Sequence, residues 1–357
     1  MPSNLTFSVQ DQLAKMRIAA GGVRERLSLS VRRARARPHI AESAASVIKQ
    51  VAELKRTRGA DRPLVGIFLA EHFGDIVAAE PVIRHLRQSM PDAFLVWFAK
   101  AAYAELVQAH PQLDAVIAVS SIHETPFIAE GGLLIRAVDL HVQGKYCARH
   151  ALSYEKRTGN RSINAQTYYH QGALLEALTV SAGLKKLNEQ PRLHLSSALA
   201  SSVDALHLPP RYIALHGLSN EAVRNWDSAK WSELCRALSK FRFPLVEIGL
   251  EPVLPMGAAG LINLCGKLSV CQSAEVIRRA DLFIGIDSGP AHCANAFERP
   301  SIILLGKYLH FGDYMPYTGH FQKHESVMLL RSPHACSEIQ VDQVIARVEK
   351  LISPLAD

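Results

Sequence analysis

From residue 64 onward the chain alternates unbroken apolar runs with stretches whose apolar residues recur at helical spacing. Leu64–Ala70 (LVGIFLA) is apolar throughout, which predicts a strand buried on both faces. A helix is expected next, with Ile76, Val77, Val82, Ile83 and Leu86 on its apolar side. Phe94–Phe98 then reads as a strand, 101–109 as a helix and Ala115–Val119 as a strand. Leu133–Leu140 predicts a further strand and Ile163–Ala182 a long helix. The segment 184–210 breaks the pattern with Pro191, Pro209, Pro210 and several serines, as a linker between domains would. The alternation restarts with strands at Tyr212–His216, Pro244–Gly249, Leu261–Leu264, Leu282–Ile286 and Ser301–Leu305. Helices are expected at 228–240, 272–280 and 290–297, and Val341–Ile352 closes the chain as an amphipathic helix. Upstream, Ala44, Ile48, Val51 and Ala52 predict a helix over 41–56, and Gly59–Pro63 reads as a hinge. The pattern predicts an α/β protein of two doubly wound (Rossmann-like) domains, 63–205 and 206–357, behind a helical N-terminal extension, 1–62. A ligand is expected in the cleft between the domains.

Composition changes this picture only at the N-terminus. The chain has 357 residues, 48% apolar and 20% charged, which excludes a largely disordered, collagenous or polytopic membrane protein. Its formal charge is +7, but 13 of the 40 Lys and Arg and only 5 of the 33 Asp and Glu lie in residues 1–62. The body carries 27 basic against 28 acidic residues and is close to neutral, so nucleic acid is not an expected partner. In the extension, Val23, Leu27 and Val31 alternate with Arg24, Arg26, Arg32, Arg33, Arg35 and Arg37. A helix there suits peripheral contact with anionic lipid headgroups; a solvated arm is the other reading. Asp11 and Glu25 argue against an organellar presequence. No run of 18 apolar residues and no secretory stretch occurs. The six cysteines (Cys147, Cys235, Cys265, Cys271, Cys293, Cys336) form no CxxC pair, which fits a reduced, cytoplasmic location.

Three stretches carry candidate chemistry. In Asp281–Leu305 a buried strand ends in Asp287, Ser288 and Gly289, and a helix begins at once with Pro290. Gly289 lets a ligand approach the backbone, and the helix N-terminus attracts a phosphate. His292, one turn in, can donate to the same anion; a serine-capped turn with a satisfied histidine is the structural alternative. The second stretch, Glu71-His72-Phe73-Gly74-Asp75, places a carboxylate at the end of the first strand. Asp75 there can take a proton from a hydroxyl nucleophile, or can serve only the helix N-terminus. In the third, Ser219, Asn220 and Arg224 follow the first strand of the second domain and suit a diphosphate, while Trp226 reads as packing. Glu251, after Gly249, can reach ribose hydroxyls or stay in an exposed loop. Gly260 to Lys267 is not a phosphate loop, having one residue too many and Leu268 after the lysine, and no GxGxxG supports a nicotinamide cofactor. Asp287-Ser288-Gly289 is likewise not a serine-protease nucleophile loop, because it joins strand to helix.

Read together, these stretches resemble glycosyltransferase family nine, the lipopolysaccharide heptosyltransferases, over about residues 63–330. The strand followed by Gly74, Asp75 and Pro81, the His110-Pro111…Asp114 stretch, His216 to Trp226, Gly266-Lys267…Ser269, and Asp287-Ser288-Gly289…His292…Pro300 are similar to that family's motifs in order. The resemblance implies the two-domain GT-B fold and an inverting transferase, with Asp75 as catalytic base. It further implies donor contacts from Ser219, Asn220, Arg224, Glu251, Lys267, Asp287, Ser288, Gly289 and His292. The donor would be a nucleotide-sugar, ADP-heptose by family default, and the acceptor a lipopolysaccharide or other glycan hydroxyl. No metal and no further cofactor are implied. Arg224 stands where the family carries Lys, after a loop one residue longer. A nucleotide-sugar epimerase of the same fold, or a non-catalytic RNA- or membrane-binding protein using the basic arm, are the alternatives.

Overall fold

The structure, a computed structural model, describes residues 5–59, 61–241, 243–255 and 260–352, with side chains from residue 28 onward. The first half comprises α1 (Leu5–Arg58), β1 (Leu64–Phe68), α2 (Phe73–Ala78), α3 (Pro81–Ser89), β2 (Phe94–Lys100), α4 (Ala101–Gln108) and β3 (Ala115–Val119). It continues through α5 (Thr125–Ala129), β4 (Arg136–Asp139), β5 (Tyr146–Cys147), β6 (Leu152–Ser153), α6 (Leu174–Ser181) and α7 (Ser197–Asp204). The second half comprises β7 (Ile213–His216), α8 (Ser228–Leu238), β8 (Leu245–Glu247), β9 (Leu261–Asn263), α9 (Val270–Arg279) and β10 (Leu282–Ile286). It ends with α10 (Gly289–Ala296), β11 (Ser301–Leu305), β12 (Val327–Arg331) and α11 (Val341–Ile352).

Each half centres on a parallel sheet, ordered β3-β2-β1-β4 in the first and β12-β11-β10-β7-β8-β9 in the second. The apolar runs become central strands because both faces are covered. In the first sheet, Val65, Ile67, Leu95 and Trp97 pack into a cluster with α2, α3 and α6. Leu64, Phe68, Phe94 and Phe98 point the other way, toward α1 and α5. In the second sheet Ile213, Ile284 and Leu304 meet α8 and α11, while Ala214, Phe283 and Ile303 meet α9 and α10. The cluster containing α2, α3 and α6 also contains α9 and α10, so one apolar core joins the two halves.

Four expectations need correction. The helix expected over 163–182 is a turn at Tyr168–Gln171 followed by α6 alone. Asn164 folds back on Gln166 and Thr167 through its side chain and backbone, and Gly172 adopts φ 117°, which no helix permits. The linker 184–210 contains α7, whose Ser196 hydroxyl accepts the Leu199 N–H at 3.2 Å. Gly59–Pro63 is no loose hinge: Arg62 reaches Asp114 at 2.7 Å and the carbonyls of Asp92 and Ala93. The extension, finally, is only half an extension. Helix α1 continues through Pro38, and its last turns bury Ile40, Ala44, Val47 and Val51 over the first sheet. Those residues are a layer of the domain. The expected amphipathic face involves Val23, Arg24, Arg26 and Leu27, whose side chains lie outside the described residues; Arg32, Arg33, Arg35 and Arg37 are exposed. Strands β5 and β6, two residues each, carried no signal, whereas β12 was not expected although VMLLR is an apolar run.

If α1 is a structural layer, Val51→Ala should lower urea-unfolding stability by about 2 kcal/mol, since Val51 is 1% exposed. Val31→Ala, at a position 47% exposed, should change it by less than about 0.5 kcal/mol. Equal effects would show that the packing of α1 on the sheet is wrong.

Candidate active site

Two parallel strands deliver the site. β1 ends in the loop leading to α2, and Asp75 sits in the first turn of that helix. Its Oδ2 accepts the His72 N–H at 3.4 Å, so it does serve the helix terminus. The same oxygen receives Lys145 Nζ at 2.5 Å, and Lys145 also donates to the Glu71 carbonyl at 3.3 Å. Burial pushes the Asp75 carboxyl up, but Lys145, His72 and His292 together hold it at about 2. The Lys145 ammonium is opposed by burial and raised overall by Asp75. Asp75 is therefore ionised and paired.

β10 delivers the facing side. Its C-terminal residue is followed by Asp287, Ser288 and the start of α10, with Pro290 in the first turn. Ser288 does not cap this helix with its side chain. Its hydroxyl donates to the Ile286 carbonyl at 3.1 Å and lies 3.1 Å from His216 Nδ1, at the end of β7. Burial pushes the His216 imidazole down to about 4, so it is neutral at pH 7. Burial likewise lowers His292, although Asp287 and Asp75 oppose it. The N-terminal turn of α10 thus meets neutral imidazoles and keeps its dipole available to an anion.

Arg224 supplies the cation on this side. Its guanidinium lies 3.5 Å from Asp287 and 3.5 Å from Glu221, over the Tyr308 ring at 5.0 Å. Burial opposes its charge, but Asp287 and Glu221 raise its pKa overall. Nε is buried with no partner among the described residues. Asp287 is itself buried and accepts from Tyr314 at 2.6 Å and Tyr317 at 3.3 Å. Its carboxylate is thus occupied in holding Arg224 and two tyrosines. The loop before Arg224 is closed by Asn225, whose Oδ1 accepts from the Ser219 N–H at 2.7 Å and whose Nδ2 returns to the Ser219 carbonyl.

Tertiary packing brings the two sides into contact. A Cβ on Gly74 would lie 2.6 Å from the His292 ring, and a Cβ on Gly289 would lie 2.3 Å from the Phe73 ring. Beside this contact, Tyr168 and Tyr169 of the first half pack on Tyr308, Phe311 and Tyr314 of the loop after β11. The structure therefore gathers Asp75, Arg224, Asp287, Ser288, Gly289 and His292. Ser219 and the exposed Asn220 border them on the loop after β7. Glu251 is an exposed loop residue after β8, and Lys267 is exposed after β9 with Nζ on the Asn263 carbonyl at 2.7 Å. Trp226 is packing: it is 3% exposed, donates to the Ile339 carbonyl and sits edge-on to Trp231. Sequence reasoning missed Lys145, which lies 70 residues from its partner in an unpatterned turn. It also missed the tyrosines at 308, 314 and 317, where an aromatic-rich run was a usable signal.

The His110 stretch is architectural. His110 Nε2 lies 2.9 Å from Glu80, which also accepts from Arg84 and the Arg192 N–H; Asp114 accepts from Arg62, Arg87 and the Leu95 N–H. Glu80, His110 and His194 bring one donor atom each within 4.8 Å, the geometry of a metal cluster. Both Glu80 oxygens are already engaged, His110 Nδ1 accepts the Gln112 N–H, and the His194 ring packs edge-on against His110 at 4.6 Å.

Comparison with known proteins points the same way as this geometry. The family model of glycosyltransferase family 9 (heptosyltransferase) matches residues 146–328. Lipopolysaccharide heptosyltransferase 3 of Escherichia coli K12 is 23% identical, the alignment covering 80% of this chain and 98% of that protein. The structure of E. coli ADP-heptose lps heptosyltransferase II superposes with a TM-score of 0.63 at 18% identity, covering 83% of this chain and all of that one. An iron-containing dodecameric glycosyltransferase, TibC of enterotoxigenic E. coli, superposes with a TM-score of 0.56 at 16% identity, over 83% of this chain and 80% of that one. The shared architecture is the GT-B fold.

Because the folded pKa of Asp75 lies below the ordinary carboxylate value of about 3.9, its contribution to stability is complete above that pH. It is lost as pH falls through about 2. The urea midpoints of wild type and Asp75→Asn should therefore converge on acidification from pH 5 toward pH 2.5. A gap independent of pH would mean that Lys145 does not depress this carboxyl.

Proposed function

The chain belongs to glycosyltransferase family 9, and from that membership we propose an inverting sugar transfer from an ADP-linked donor, heptose as in its relatives, to a lipopolysaccharide hydroxyl. The observation that carries this reading is the meeting of an ionised carboxylate, Asp75, with a helix N-terminus and a half-buried guanidinium where the two halves touch. The first half takes the acceptor and the second half the donor. The edge order β10-β7-β8-β9 supports a nucleotide running from Ser288 past His216 and Ser219 toward Glu251 and Lys267. The diphosphate would then rest on α10 and Arg224, and the nucleoside on the more exposed loops after β8 and β9.

In the reaction, the acceptor oxygen forms a bond to the anomeric carbon as the bond from that carbon to the phosphate oxygen breaks. The acceptor proton passes to Asp75, and the electron pair leaves on the diphosphate. Arg224 and the α10 amides stabilise that charge, and Asp287 with Tyr314 and Tyr317 fixes the guanidinium beforehand. Arg224 in place of Lys preserves charge and adds bidentate geometry. A carboxylate at about 2 is a weak base, and Lys145 is the reason. An acceptor that draws Lys145 away leaves burial as the dominant influence and strengthens the base when it is needed.

We place the protein in the cytoplasm, touching the inner face of the membrane. All six cysteines are unpaired, as a reduced compartment requires. Among the described residues, no helix is long and apolar enough to cross a membrane. Arg32, Arg35 and Arg37 of α1 are exposed, which supports their electrostatic attraction to anionic headgroups.

Asp75→Asn should lower kcat by about 10²- to 10⁴-fold while leaving the donor KM within about threefold. Arg224→Ala should instead weaken ADP binding at least about tenfold, read by thermal shift against UDP and GDP. Wild-type turnover in Asp75→Asn would remove the base assignment. Donor conversion without any acceptor would favour epimerisation.

A further inference from the structure

Two side chains can bring a positive charge to Asp75 Oδ2, and only one of them is charged at every pH near neutrality. Lys145 Nζ lies on that oxygen at 2.5 Å, and His72 Nδ1 lies 3.9 Å from it. His72 is the N-cap residue of α2, and its backbone N–H reaches the same oxygen at 3.4 Å. The settings of the two side chains differ. Lys145 is mostly covered, whereas 54% of the His72 side chain is open to solvent. The Nδ1 gap is too long for a hydrogen bond, but a small rotation of an exposed ring closes it.

The other titratable groups around the pair are already engaged or buried. Glu71 is paired with Lys100, and His292 is buried on the α10 side. Tyr168, Tyr169 and Tyr308 feel the Asp75 charge, and burial pushes their phenols up. His72 is therefore the exposed member of the group, and an imidazole changes charge near neutral pH. Lys145 is the largest influence on that imidazole and lowers it. Burial lowers it further, Asp75 and Glu71 oppose, and Lys100 adds least. A movement of Lys145 that frees Asp75 thus also returns His72 toward its ordinary value of 6.5.

We propose that His72 is a positioning residue for the base: neutral, it leaves Asp75 to the acceptor hydroxyl, and protonated, it takes the place of Lys145 on Oδ2 and keeps the carboxylate out of the reaction. The proposal rests on the transferase reading, because it takes Asp75 as the base. Transfer then needs a neutral His72, so turnover falls as pH falls through the imidazole's value. Lys145 is in place in the free enzyme and displaced in the complex, so the fall comes at higher pH in kcat than in kcat/KM for the acceptor. Lys145 stays charged throughout and cannot supply this acid shut-off.

The test has two arms, both on the full chain. In the first, the His72 ring is titrated by proton–nitrogen NMR. Its midpoint should fall by at least about 0.5 pH unit in Asp75→Asn and rise by at least as much in Lys145→Met. A midpoint that ignores both substitutions overturns the proposal. In the second arm, transfer from ADP-heptose to O-deacylated lipopolysaccharide is followed between pH 5.5 and pH 8. Wild-type kcat at pH 8 should exceed that at pH 5.5 by at least about tenfold, and His72→Gln should shrink this ratio below about threefold. His72→Lys, charged over the whole range, should hold kcat at pH 8 at least about tenfold below that of His72→Gln, with the donor KM within about twofold. A ratio unchanged in His72→Gln, or His72→Lys as active as His72→Gln, overturns the proposal while leaving the transferase reading in place. Full turnover in Asp75→Asn, with the NMR midpoints moving as expected, would instead remove the base assignment and leave only the coupling of His72 to Asp75.

Discussion

The structure depends on a backbone-close contact between two short helices. Gly74 in α2 and Gly289 in α10 leave no room for a Cβ, since the His292 and Phe73 rings fill those positions. Both helices start where a central strand ends, β1 in one sheet and β10 in the other. Pressing them together therefore turns the two strand-end edges toward each other. Asp75 follows Gly74 directly, so the contact that joins the halves also sets the carboxylate beside the N-terminal turn of α10. A larger residue at either glycine would separate the halves and dilute the site.

Around that contact, charge is arranged in matched pairs before any ligand arrives. Lys145 neutralises Asp75, and Asp287 with Glu221 neutralises Arg224, while His216 and His292 are driven toward neutrality by burial. Unpaired charges in so dry a place would destabilise the fold. Ligands must consequently exchange partners rather than fill empty positions. On the proposed mechanism a diphosphate would take over Arg224, and the acceptor would release Asp75 from Lys145. Lys145 holds the Asp75 carboxyl at about 2, and on that mechanism the acceptor would strengthen it as a base.

Helix α1 shows how a sequence segment can belong to two regimes. Its charge marks it as separate from a near-neutral body, yet residues 40–58 carry the apolar positions that cover Leu64, Phe68, Phe94 and Phe98. The same anchoring turns Ser43, Ser46 and Gln50 toward the strand ends and builds a groove wall there.

Sequence by itself determined the elements and their class. Runs such as LVGIFLA and DLFIGI are apolar at nearly every position, and only a strand covered on both faces accommodates that, so the parallel sheets were legible. Asp75, Ser288, Gly289 and His292 were legible too, because a strand followed at once by a helix with glycine and a polar residue in between places them at a strand end. Where competing local chemistry decided, the pattern failed: Asn164 and Gly172 broke the helix expected over 163–182. Only the tertiary structure decided the partners. Lys145 meets Asp75 across 70 residues of chain, Tyr314 and Tyr317 meet Asp287 across about 30, and Glu124 faces α1 across a groove. Periodicity records which face of an element is buried, but not which distant side chain it is buried against. The charge state of each site residue is set by those distant neighbours, and so it became readable only in the folded chain.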